Sequence, residues 1–248
     1  MEIRVMEEKH YTNLEKSYSK VGDLTWQYED FLEENINFSR SLYTLQSLSD
    51  RCPKPKNLEV YALVSGLSFR NNFTKRLVAI QEQISKTLED SLCYWVKPNN
   101  LGVEYAVFKW PDDQWDKANL KIIKNALMSI QKPSYNFCIR GIQINSDGCV
   151  IAKGFDQSNT LFQIREQLKY DLPFIPKKQS GWAHVPLGRI LEPLGKEKFA
   201  KLKKLIEPLL KKDIATTEIN DMKLVHETRW YMEEKTILVE YPFRGNHK

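Results

Sequence analysis

The chain has 248 residues, 42% of them hydrophobic and 28% charged, with a formal net charge of +5. Those proportions describe a folded protein large enough for one sizeable domain, or for two small lobes sharing an interface. No run of about 18 apolar residues occurs, which excludes a membrane-spanning helix, and the modest positive charge falls short of a nucleic-acid-coating tail.

The first ten residues lack the basic start and apolar centre of a secretory signal. Cys52, Cys93, Cys138 and Cys149 are scattered, with no C-x-x-C pair and no histidine at ligand spacing. A cytoplasmic protein with reduced thiols, no metal and no cofactor is expected. There is no P-loop, G-x-G-x-x-G, G-x-S-x-G or H-E-x-x-H.

Leu24, Phe31, Leu32, Ile36, Leu42, Leu45 and Leu48 recur at roughly helical spacing, predicting one long amphipathic helix or two shorter ones, with Asp23 able to cap the start. Pro53 and Pro55 end that pattern, because two prolines cannot sit inside a helix. Residues 1–56 therefore read as a helical segment plus linker, and residues 57–248 as the main domain. The apolar stripe of the segment must be buried, most simply against that domain.

From residue 57 strands and helices alternate. Residues 58–67 form an apolar, β-rich run, and Phe73, Leu77, Ile80, Ile84 and Leu88 mark a helix. Strands are predicted at 93–96 and 103–110, then a helix carrying Ile122, Ile123, Leu127 and Ile130. A second series opens with a hairpin, 135–144 and 149–155, turning at Asp147-Gly148. It continues with a helix around Leu161, Ile164 and Leu168, a strand over 183–190 and a helix through Phe199, Leu202 and Ile206. Strands at 222–230 and 236–241 close the chain. The repeated order predicts an α+β protein of two similar lobes with a groove between their sheets.

One strand stands out: Trp182-Ala183-His184-Val185-Pro186-Leu187-Gly188-Arg189-Ile190. Alternation puts His184, Pro186 and Gly188 on one face and Val185 and Leu187 on the other. An apolar inner face leaves an imidazole and a nearby guanidinium to line a groove, where they suit a phosphate; the plainer reading is a histidine hydrogen-bonded at a sheet surface. Trp95, Trp110, Trp182 and Trp230 fall on predicted strands beside the groove, as core residues or as flat faces for a base.

His184-Val185-Pro186-Leu187-Gly188-Arg189 resembles the extended second motif, H-x-T-L-G-R, of the two-histidine (2H) phosphoesterase superfamily, which includes the 2′,5′ RNA ligase-like proteins and cyclic nucleotide phosphodiesterases. The strand over 148–155 and the helix around Arg165 fit the family's element order, and the resemblance spans roughly residues 57–243. It implies a bilobal fold of two pseudo-symmetric antiparallel sheets flanked by helices, to which the N-terminal helices are an addition. Family members carry H-x-T/S on equivalent strands of the two lobes. Here the first motif reads Glu104-Tyr105-Ala106, and in the second Pro186 replaces the hydroxyl residue. Of the four groups expected, only His184 survives.

In the family, as the resemblance implies, one histidine removes a proton from the attacking oxygen and the other protonates the leaving oxygen. Each role is worth about 100- to 10,000-fold in rate, so a divergent member with weak hydrolysis of a phosphodiester or cyclic phosphate is expected. His184 and Glu104 are the catalytic candidates, although an ionised Glu104 would repel a phosphate. Arg189, Lys109 and Arg140 are candidate phosphate binders, each equally readable as a surface charge. His226-Glu227-Thr228 imitates the motif on another strand, which offers His226 and Thr228 as groove residues unless that strand is an exposed edge. The implied partner is a phosphorylated small molecule, a nucleotide or an RNA end. The alternatives are an RNA-binding module or a non-catalytic protein that binds a partner through Trp26, Tyr28, Phe31 and Phe38 of the N-terminal helices.

Overall fold

The computed structural model describes the backbone of residues 2–244 and the side chains from residue 10. The helices are α1 (Glu2–Thr25), α2 (Glu33–Arg40), α3 (Leu45–Ser49), α4 (Asn71–Thr87), α5 (Asn119–Ser129), α6 (Thr160–Asp171) and α7 (Lys196–Ile206). The strands are β1 (Asn57–Gly66), β2 (Cys93–Trp95), β3 (Gly102–Lys109), β4 (Tyr135–Ile144), β5 (Cys149–Asp156), β6 (Val185–Ile190), β7 (Asp213–Ile219), β8 (Asp221–Arg229) and β9 (Glu234–Pro242). Among the described residues no helix is long and apolar enough to cross a membrane.

The strands form two antiparallel sheets, one of four strands in the order β3-β1-β8-β9 and one of five in the order β2-β6-β5-β4-β7. This is the α+β, two-sheet architecture expected from the sequence, with one difference in wiring. The lobes are not consecutive halves of the chain. Strands β8 and β9 join β1 and β3, whereas β2 crosses to pair with β6. Strand β7, which the apolar pattern did not announce, closes the far side of the five-stranded sheet against β4.

The helices cover the sheets with the faces their periodicity predicts. In α4, Phe73, Leu77, Ile80 and Ile84 are buried in the main core. The four-stranded sheet has two apolar faces. Tyr61, Leu63, Tyr105 and Leu224 join the main core, while Val60, Ala62, Val64, Val107 and Val225 form a separate cluster with Trp110, Trp230 and Met232. That second face, left without a covering helix, is where the cavity lies.

The N-terminal segment differs from expectation. It is three helices, and Asp23 sits in the last turn of α1 rather than capping a start. Leu14 and Tyr18 of α1 pack on Cys149, Ile151 and Phe155 of β5. Phe31, Ile36 and Tyr43 belong to the main core, with Trp26 and Phe31 both against Phe199 at 5.3 and 5.1 Å between ring centroids. Only Tyr28 and Phe38, 52% and 61% exposed, remain of the four aromatics considered for a partner surface.

Candidate functional site

A cavity of about 370 Å³ is lined by Val64, Glu104 and Glu227 from the four-stranded sheet and by Cys149, Pro186 and Arg189 from the five-stranded one. His184, the residue before β6, also lines it, so His184 and Glu104 face the same space from the two sheets. Trp110, Lys178 and Trp230 complete part of the wall, whereas Trp95 and Trp182 lie outside it.

Arg165 of α6 holds the two strands in register across the gap. Its Nε donates to the Tyr105 carbonyl at 3.0 Å, and its Nη2 donates to the carbonyls of Glu104 and Trp182 at 2.6 and 2.7 Å. A buried cation bonded to carbonyls on both sides ties the backbone of Glu104 to the segment leading into His184. Burial lifts the Glu104 carboxyl above its ordinary value, and the Arg165 charge works against that rise.

The His184 imidazole makes no hydrogen bond among the described residues, and its Nδ1 is buried. Trp182 lies edge-on to it at 5.9 Å; Trp182 in turn rests on Tyr18 and donates from Nε1 to Ser17 Oγ at 2.8 Å. Helix α1 thus braces the ring beside the histidine. Burial, and then the charges of Arg165 and Arg189, push the imidazole down to about 4, so it is neutral at pH 7.

Glu227 is the residue that sequence reasoning missed. It is only 5% exposed and accepts the Met232 N–H at 2.7 Å. Burial carries its carboxyl up to about 7; the Met232 bond opposes that rise, nearby Glu104 adds to it and Lys235 opposes it. Strand β8 presents Glu227 to the cavity, so His226 and Thr228 point the other way. His226 stacks on Tyr61 at 4.5 Å and sits 3.2 Å from a Glu59 oxygen, and Thr228 donates to the Glu234 carbonyl at 3.4 Å. Neither lines the cavity.

The cations divide similarly. Arg189 is in the wall, but its donors are engaged by Asp147 at 2.8 Å, by the Tyr231 hydroxyl and by Ser39 Oγ. Lys109 is buried outside the cavity, where it pairs with the Glu59 carboxylate at 3.3 Å and donates to the Trp110 carbonyl at 3.2 Å. Arg140 also lies outside, held by the Tyr11 hydroxyl at 2.6 Å and by Asp213 at 3.5 Å. The loop before β6 supplies what the sequence did not reveal. Gln179 accepts the Val107 N–H at 2.9 Å and donates to the Val107 carbonyl at 2.8 Å, which covers the free edge of β3. Lys178 Nζ lies 5.3 Å from the Trp110 ring. Among the described residues no cluster of three or more His, Cys, Asp or Glu could hold a metal ion.

The site therefore offers two carboxyls that hold protons more readily than usual, a neutral imidazole, and a cation at the loop, all in a wall rich in apolar and aromatic surface. The chemistry available is proton exchange and hydrogen-bond acceptance, with anion binding confined to Lys178 and Arg189.

Solved structures carry the same fold. The protein TT0787 of Thermus thermophilus superposes with a TM-score of 0.54 at 13% identity, covering 76% of this chain and 100% of that one. E. coli LigT in apo form gives a TM-score of 0.53 at 9% identity, covering 76% and 99%. LigT complexed with NADP+ gives 0.52 at 11% identity, covering 76% and 99%, and LigT complexed with 3′-AMP gives 0.50 at 12% identity, with the same coverage. A structure described as a phosphoesterase matches with a TM-score of 0.53 at 11% identity, covering 75% and 98%. The chain therefore shares its fold with LigT and with the structure described as a phosphoesterase. No family model matches the sequence, and no curated protein matches it.

Proposed function

We propose that this chain is a divergent 2H phosphoesterase-like protein that binds a nucleotide or another phosphorylated ligand, a small molecule or an RNA end, in the cavity between its two sheets. Hydrolysis of a phosphodiester or cyclic phosphate there is weak. The observation that carries the reading is the convergence of Glu104, on β3 of one sheet, and His184, just before β6 of the other, on one cavity. Support comes from LigT, which shares the fold and is seen with 3′-AMP and with NADP+.

The residues fit binding better than turnover. Trp110 and Trp230 provide flat apolar surface for a ring, and Lys178 and Arg189 provide positive charge for a phosphate. For hydrolysis, His184 would take the proton of the attacking water while a protonated Glu104 gives one to the leaving oxygen. A base that is half-protonated only at about 4 accepts that proton poorly at neutral pH.

Thermal shift with 3′-AMP, NADP+ and inorganic phosphate tests the binding, since a ligand bound only by the folded state raises the melting temperature. A higher melting point with the nucleotides is expected. Hydrolysis of 2′,3′-cyclic nucleotides should be slow and should fall about 100-fold in His184→Ala. Equal rates in the two proteins would remove His184 from any chemistry.

A further inference from the structure

The cavity contains an excess of hydrogen-bond acceptors over free cations. Glu104 has no hydrogen-bond or ion-pair partner for its carboxylate among the described residues, Glu227 uses one oxygen for the Met232 amide, and the His184 ring is unpartnered. Arg189, the cation nearest in the chain to His184, is matched by Asp147. A phosphate placed there would meet two carboxyls directly, whereas Arg165, whose charge acts on Glu104 and His184, is not in the cavity lining and spends Nε and Nη2 on backbone carbonyls. The phosphate of a ligand belongs instead beside Lys178 and Arg189, leaving the Glu104–Glu227 part of the cavity to a different portion of the molecule.

A carboxylate is complemented by two parallel N–H groups on one planar edge, the arrangement that makes bidentate pairs strong and directional. Guanine presents such an edge, a ring N–H beside an exocyclic amino group. Adenine presents an acceptor beside its amino group and leaves a carboxylate oxygen facing a lone pair. Trp110 and Trp230, with ring centroids 6.3 Å apart, and the side chains of Val64 and Met232 give the same space walls suited to a flat heterocycle.

We infer that Glu227, seconded by Glu104, is a base-recognition site that selects a guanine-type edge of paired N–H donors on the nucleotide. The inference rests on the reading that the cavity binds a nucleotide, and it assigns these carboxyls to specificity rather than to proton transfer.

Calorimetric titration at pH 8 with guanosine 3′-monophosphate, 3′-AMP and inorganic phosphate tests it. The guanine nucleotide should bind about tenfold more tightly than the adenine one. Glu227→Gln should abolish that preference, since its amide oxygen still accepts the Met232 N–H but its NH₂ opposes a donor edge. Glu104→Gln, on edge strand β3 of the same sheet, should reduce the preference without abolishing it, which guards against misfolding of the first variant. Equal affinity for the two nucleotides would overturn the guanine assignment and leave nucleotide binding intact. Absence of binding by all three ligands would overturn both.

Discussion

Arg165 and Glu104 meet twice: the guanidinium donates to the Glu104 carbonyl at 2.6 Å, and its charge restrains the rise that burial imposes on the Glu104 carboxyl. The same nitrogen bonds the Trp182 carbonyl, so a single side chain fixes the spacing between the two walls. Arg165→Met should strip donors from three carbonyls and cost about 3 kcal/mol in urea unfolding. Nucleotide binding should fall along with it. Arg165→Lys should recover little, because an ammonium cannot reproduce the planar fork. Full stability in either variant would show that the strands hold their spacing without the clamp.

Glu227 and His184 impose opposite pH dependences. The Glu227 carboxyl rises from 4.5 to about 7 on folding, so its contribution is fully present below about 4.5 and is lost as pH climbs toward 7. The His184 imidazole falls from 6.5 to about 4, so its contribution is present above about 6.5 and is lost as pH drops toward 4. Each is worth at most about 3 kcal/mol, and between pH 4.5 and 6.5 the two slopes oppose each other. Relative to the parent protein, Glu227→Gln should gain stability as pH rises from 5 to 8. His184→Gln should gain as pH falls from 6.5 to 4. Urea denaturation across pH 4–8 measures both differences, and flat differences would contradict the assigned burial.

Gln179 acts as a substitute strand for β3 by pairing with both backbone groups of Val107. Gln179→Ala should leave that edge to water and speed amide exchange at Val107 about tenfold. Exchange at Tyr105, whose carbonyl is tied to Arg165, provides the internal reference.

Gly188 packs so closely against β2 that a Cβ there would strike the Tyr94 carbonyl and the Trp95 ring. Gly188→Ala should cost about 1–3 kcal/mol and loosen β2 from β6. Fluorescence of Trp95 during unfolding would register the loosening as an early transition absent from the parent protein.

The segment around His184 was legible in its first half, Val185 and Leu187 being buried and Pro186 lining the cavity. A register shift between Pro186 and Gly188 then buries Gly188 and brings Arg189 to the cavity, which strict alternation did not foresee. Strand β8 was expected at 222–230, but its facing was not legible, because Met222, Lys223, Leu224 and Val225 are all buried and the run therefore declares no outward face. Its register was set instead by pairing with β1, which brings Glu227 opposite Val60, on the cavity side. Helix α1 escaped notice because its buried stripe is Leu14, Tyr18 and Thr25 rather than a row of aliphatics, with Gly22 fitting against Gln143. Strand β7 offers only Ile214, Thr217 and Ile219 as buried positions, too few to mark an edge strand by pattern. The crossed wiring of the sheets depends on pairings between segments far apart in the chain, which local periodicity cannot encode.

The burial of Tyr18, Phe31, Ile36 and Tyr43 makes the N-terminal helices part of the packing. Deleting residues 1–50 should therefore expose β5 and Phe199 and yield aggregated protein, as judged by size-exclusion chromatography. A soluble, monomeric remainder would instead support a detachable partner-binding element.

The interlacing of the sheets has a consequence for biosynthesis. Strand β1 needs β8 on one flank, and more than 150 residues separate Gly66 from Asp221. While the ribosome is still translating the intervening codons, the nascent β1 has one bare, apolar margin of the kind that invites intermolecular pairing. Strands β8 and β9 both shield that margin and deliver Glu227, so a chain terminated before them lacks one wall of the cavity and its protection from aggregation together.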